Sequence, residues 1–138
     1  EVMLSWDQVR EMSELGMTIA SHTMTHLNLP NADPADARRE IEQSRGLLQD
    51  RVQQPVDHFS YPNGGDYAYY NQAVKDMVEK AGYHTATTSN NGVARMGDDR
   101  LEMNRVRVTA NLPEIIYQIE FEPFVGAVLQ SRPRQSKR

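Results

Sequence analysis

His22 and His26 stand four residues apart in ASHTMTHLNLP, residues 20–30, and are two of only four histidines in the chain. On a helical turn that spacing points both imidazoles the same way. Two convergent imidazoles suit a divalent transition metal, zinc above all. The same residues also suit a polar turn whose histidines bond only to backbone, and the spacing alone leaves both readings open. This is not the HExxH pattern, because Thr23 occupies the glutamate position, so any general base must come from elsewhere. A second polar cluster is YPNGGD, where Tyr61, Pro62 and Asn63 run into a Gly-Gly turn signal at Gly64 and Gly65. Asp57 and His58 are adjacent in a strand-like segment and face opposite ways, so they make a poor triad pair. Asp98 and Asp99 read as turn residues, and His84, early in its strand, as structural.

These residues need elements to hold them. SWDQVREMSELG reads as a helix with Ser5 as N-cap, Gln8 at capping-box spacing and Gly16 as its stop. Val9, Met12 and Leu15 share its face. MTIAS, residues 17–21, is then a buried-strand candidate. Residues 31–52 form the clearest helix, with Asp33 before Pro34 and Ala37, Ile41, Leu47 and Leu48 on its apolar side. VDHFSYP is strand-like and ends at Pro62. Residues 70–83 give a helix with Val74, Met77, Val78 and Ala81 on one side and Gly82 as its stop. YHTATTS reads as a strand, 90–100 as a loop, and NRVRVT as an alternating strand. The segment from Pro113 starts as a helix, and Pro123 breaks it. Strands alternating with helices predict an α/β fold of about four mainly parallel strands with crossover helices. In such folds ligand sites lie at the C-terminal ends of the strands, where both polar clusters fall.

Composition narrows the function classes. The chain has 138 residues, 38% hydrophobic and 25% charged, enough for one domain with a modest core. With no cysteine, disulfides, thiolate metal sites and cysteine nucleophiles are excluded, and a metal must be held by His, Asp, Glu, carbonyl oxygen or water. The net charge is −4, and Arg132, Arg134, Lys137 and Arg138 crowd the end, leaving 11 basic against 19 acidic residues before them. So acidic a body is a poor partner for nucleic acid. Residues 131–138 read as a basic disordered tail beyond a domain at 1–130. No apolar run reaches membrane-span length, and the start has no signal-peptide shape.

GMTIASHTMTHLNL resembles the second motif of the polysaccharide deacetylases with the NodB homology domain, carbohydrate esterase family 4, in which His-Ser/Thr-x-x-His follows a strand. FSYPNGGD resembles the family's third motif, a helix ending AGY and a Thr-rich strand follow in the family's order, and NRVRV looks like its late strand. The likeness runs from about Leu4 to Leu129. It implies the C-terminal portion of a distorted (β/α) barrel, incomplete here because the chain starts at a helix that follows the first strands. It implies metal-dependent hydrolysis of an acetamide or acetyl ester on a polysaccharide containing N-acetylglucosamine, in an extracellular, periplasmic or cell-envelope setting. His22 and His26 would hold a divalent metal, zinc first, and the backbone N–H of Asn63, after Tyr61 and Pro62, would face the oxyanion. The chain departs from the pattern in having no Asp-Asp pair at a first strand and no late Leu-x-His motif. Ser60 replaces an arginine and Leu27 a proline. Asp66 is the first carboxylate to consider as a base within the chain. A non-catalytic carbohydrate-binding remnant and a metal-free structural domain are the rival readings. An incomplete sheet also predicts self-association through its open edge.

Overall fold

The computed structural model describes residues 3–64, 67, 68 and 70–106. Helix α1 spans Trp6–Glu14 and opens with the expected capping box, in which the Ser5 hydroxyl accepts from the Gln8 N–H and the Gln8 side chain accepts from the Ser5 N–H. Helix α2 spans Pro34–Val52, with the Asp33 carboxylate accepting from the Ala35 N–H and Pro34 as the first helical residue. After it come strand β1 at His58–Ser60, a short hairpin of β2 (Asn63–Gly64) and β3 (Tyr67–Ala68), helix α3 at Gln72–Lys80, strand β4 at Thr85–Asn91 and strand β5 at Met103–Arg105.

The main sheet has the order β1–β4–β5, and both pairings are parallel. Helix α3 makes the crossover from β1 to β4. Outside β1, Ser21 adds a single parallel bridge to Phe59: its N–H donates to the His58 carbonyl and its own carbonyl accepts from the Ser60 N–H. The described residues form an incomplete α/β barrel wall rather than a closed barrel. Phe59, Tyr61 and Ala86 from the sheet meet Ala37 and Ile41 of α2 and Val74 and Val78 of α3 in one buried cluster.

Two expectations change. MTIAS is not a buried strand. Residues 17–20 form no strand, Met17 is 57% exposed, and only Ser21 pairs, because among the described residues no strand lies on the other side of this segment. The expected NRVRVT strand is seen at its beginning, in Met103–Arg105; residues 107–109, the helix from Pro113 and the tail lie outside the described residues, as do Gly65, Asp66 and Tyr69.

Candidate metal centre

Ser21, β1 and β4 run parallel, so their C-terminal ends share one rim. His22 leaves that rim immediately after the Ser21 bridge, and Tyr61–Pro62 leaves it immediately after β1. The two polar clusters of the sequence are therefore neighbours in space.

The histidines are not on a helical turn. Residues 22–28 form an irregular loop in which Thr23 (φ 68°) and His26 (φ 61°) both take left-handed backbone. Two left-handed residues reverse the chain and return His26 to the side of His22. The ring centroids lie 5.0 Å apart, edge to face at 72°, and both residues are exposed. The His22 Nδ1 lies 2.7 Å from the Ser60 carbonyl. A carbonyl only accepts, so Nδ1 carries the proton and Nε2 keeps its lone pair free for a ligand. A backbone carbonyl orienting a ligand histidine in this way is the usual outer arrangement of a zinc site. Two imidazoles sharing one tetrahedral zinc at about 2.0–2.1 Å put their ring centres about 5 Å apart. The donor chemistry and the ring separation both fit. Among the described residues no group of three His, Asp or Glu surrounds the pair, so it provides two protein donors.

Three anchors that the sequence reading missed hold this loop. The Glu40 carboxylate of α2 accepts from the Met24 N–H (2.7 Å), the Thr25 N–H (2.8 Å) and the Thr25 hydroxyl (2.9 Å). The Thr23 hydroxyl accepts from the His26 N–H at 3.1 Å. The hydroxyls of Ser21 and Ser44 meet at 2.6 Å in full burial. One sequence signal existed: the buried side of α2 reads Ala37, Ile41, Ser44, with a hydroxyl where an apolar residue is expected. Beside His22 a cleft of about 360 Å³ is walled by Trp6, Leu47 and Leu48.

Tyr61 needs correction as a residue of the open site. Its ring is buried, stacks on Tyr70 at 4.7 Å and meets Phe59 edge to face, and its hydroxyl donates to the Leu101 carbonyl at 2.9 Å. Burial, with the carboxylates of Asp99 and Glu102 nearby, pushes its phenol above the usual range. Tyr70 is half-buried and donates to Glu102 at 3.1 Å. Pro62 is also buried. These two residues fix where the chain leaves β1. In the hairpin Gly64 pairs with Tyr67 and Asn63 with Ala68. With two residues between them in sequence, Gly64 and Tyr67 form the closing hydrogen-bonded pair, and the next pair alternates to the non-bonded type. The Asn63 N–H therefore points away from β3.

The remaining candidates sit elsewhere. His58 Nδ1 lies 2.7 Å from the Thr85 hydroxyl, and exposed His84 lies 3.7 Å from Asp57, both at the opposite end of the strands. Asp98 accepts from the Arg95 N–H and Asp99 from the Leu101 N–H, as turn residues do.

Comparison with known proteins agrees with the fold and the motifs. Residues 2–86 match the family model described as polysaccharide deacetylase. The chain is 31% identical over 109 residues to the putative polysaccharide deacetylase YxkH of Bacillus subtilis (strain 168), covering 79% of this chain and 38% of that protein. The Streptococcus pyogenes deacetylase PplD, solved in complex with acetate, superposes with a TM-score of 0.74 at 29% identity, over 83% of this chain and 50% of that one. IcaB from Ammonifex degensii shares the fold at a TM-score of 0.68 and 22% identity, over 85% and 52%. The chain belongs to the polysaccharide deacetylase family. It spans half or less of the length of YxkH and PplD.

Proposed function

We propose that this chain is the metal-holding portion of an enzyme that hydrolytically removes acetyl groups from N-acetylglucosamine-containing polysaccharide, with O-acetylated polymer as the neighbouring substrate class. The observation that carries the reading is His22 and His26, 5.0 Å apart on the strand rim with the His22 Nδ1 proton fixed by Ser60, in a chain of this family. Zinc, when bound by the pair, supplies the Lewis acidity that polarises an acetyl carbonyl and acidifies water. Ser60 keeps the His22 ring in the ligating tautomer. The Asn63 N–H, directed out of its hairpin, donates to the oxygen that gains negative charge, a contribution of about 2.7–4 kcal/mol for one such donor. Glu40 already accepts three hydrogen bonds from the loop, which makes it a holder rather than the base. The catalytic domain is taken as 1–130, with 131–138 outside it, and a polymer substrate of this kind implies an extracellular, periplasmic or cell-envelope setting.

The test uses the full-length protein, zinc and an N-acetylglucosamine oligomer, with released acetate measured. Acetate release should fall to background in His22→Ala and His26→Ala. Undiminished release from His26→Ala rejects the assignment. Oligomer binding without acetate release in the wild type would favour the carbohydrate-binding remnant, and neither zinc uptake nor oligomer binding would favour the structural domain.

A further inference from the structure

We propose that Glu40, seconded by Ser44 one helical turn along α2, is the positioning residue of the histidine pair; this rests on the reading of His22 and His26 as metal ligands. The argument begins with the loop. Left-handed backbone at a β-branched residue such as Thr23 is rare and costs about 1–3 kcal/mol, and His26 repeats the demand three residues later. Such a loop persists only if its surroundings over-determine it. Three successive amides between the histidines are held: those of Met24 and Thr25 by the Glu40 carboxylate, and that of His26 by the Thr23 hydroxyl. Bonds from N–H groups to an ionised acceptor are roughly twice as strong as neutral ones. A single carboxylate receiving two adjacent amides also fixes the direction of the peptide plane between them, and so the heading of the chain into His26.

Ser44 secures the other end. Positions 40 and 44 are an i, i+4 pair on one face of α2. The Ser44 hydroxyl meets that of Ser21, the residue before His22, at 2.6 Å. The segment held by α2 thus runs from Ser21 to Thr25, with the helix touching both of its ends, and the Thr23 hydroxyl carries the restraint on to His26. Helix α2 is itself fixed to the core through Ala37 and Ile41. Glu40 touches neither imidazole in these contacts, and its effect on a bound ion is transmitted through the backbone.

Glu40→Gln keeps size and shape but turns an amide, half of it a donor, towards two N–H donors. Hydrogen exchange in the full-length protein without metal reads the loop directly. The Met24 and Thr25 amides should lose protection in Glu40→Gln while those of Tyr61 and Ala86, bonded within the sheet region, keep it. Zinc affinity, from competition with a chromophoric chelator at fixed pH, should weaken about 10–100-fold. The visible bands of the cobalt-substituted protein should shift with the altered ligand geometry, which a loss of global stability alone would not do. Wild-type protection, affinity and spectrum in Glu40→Gln would overturn the proposal. So would loss of protection spread equally over Tyr61 and Ala86, which would make Glu40 a support of the whole fold. If the wild type takes no zinc, or His22→Ala binds it unchanged, the metal reading fails instead, and the exchange measurement still decides whether Glu40 sets the loop.

Discussion

Tyr61 shows how one side chain separates motif from mechanism. It stands in the Tyr-Pro turn beside the candidate site, yet its hydroxyl is sealed in the core against the Leu101 carbonyl, 40 residues on. Tyr61→Phe leaves that carbonyl buried with one partner fewer, and should cost about 1–3 kcal/mol of stability. Zinc affinity should stay at the wild-type level, because the ring packs on Phe59 and Tyr70 and its hydroxyl is taken by the Leu101 carbonyl. Denaturant melts and chelator competition on the two proteins check both halves. A variant of unchanged stability but weakened zinc binding would return the phenol to the site. Ser60 matters in the same indirect way: its backbone carbonyl, which a side-chain motif does not describe, sets the tautomer of His22.

At the scale of elements, Arg45 works as a rivet. Its guanidinium donates to the Val56 and Ala81 carbonyls at 2.8 and 2.9 Å, pairs with Asp57 at 3.3 Å and lies over the Tyr83 ring. One side chain of α2 thus ties the end of α3 to the entry of β1. Gly82, at φ +88°, is where the rivet passes, and a Cβ there would lie 2.7 Å from Arg45 Nη1. Gly82→Ala should cost about 2 kcal/mol, from left-handed backbone and a displaced guanidinium together. In an Arg45→Ala background the same substitution should cost less, and a double-mutant cycle on melting data with no coupling would contradict the rivet. A second tie, Lys75 to Asp99 (2.5 Å) and Glu102 (2.7 Å), fastens α3 to the 95–102 loop. The Lys75 ammonium holds the Asp99 carboxyl below its ordinary value. A depressed carboxylate stabilises the fold above its unfolded pKa, and that contribution disappears as pH falls through the folded one. The stability lead of the wild type over Asp99→Asn should therefore hold near neutrality and shrink below about pH 4. Melts at stepped pH test it, and a lead that stays constant to pH 3 would contradict the ion pair. The elements that the sequence revealed are those written by neighbours in the chain: the Ser5–Gln8 box, the Asp33–Pro34 start and the glycine stops at Gly16 and Gly82. MTIAS misled because a strand exists only through its partner, and its apolar residues carry no record of whether one is present. The histidine loop misled because spacing four apart suits a helical turn equally well, whereas the actual convergence comes from two left-handed residues held by Glu40, Thr23 and Ser44, which lie outside the motif's spacing or act through the backbone.

At the scale of the molecule, the segment before Ser21 pairs with no strand among the described residues. Leu15 is 77% exposed and Met17 57%, with Leu4 and Trp6 also exposed among the described residues. Apolar groups beside unpaired backbone attract a second copy. The 138-residue chain should therefore self-associate as its concentration rises, and Leu15→Lys with Met17→Lys should restore the monomer. Sedimentation velocity over a concentration series reads this, and a wild type that stays monomeric throughout contradicts it. The parallel arrangement has another consequence, in time rather than space. The His22–Ser60 bond closes a separation of 38 residues, and helix α2 lies wholly within that interval. Parallel strands gain no help from a local hairpin, so such closures come late in folding. During synthesis the histidines leave the ribosome well before β1 does, and they wait with neither a fixed tautomer nor a fixed rim. Under the metal reading proposed above, an ion that arrived in that interval would meet a floppy pair, and firm loading would wait until β1 has docked.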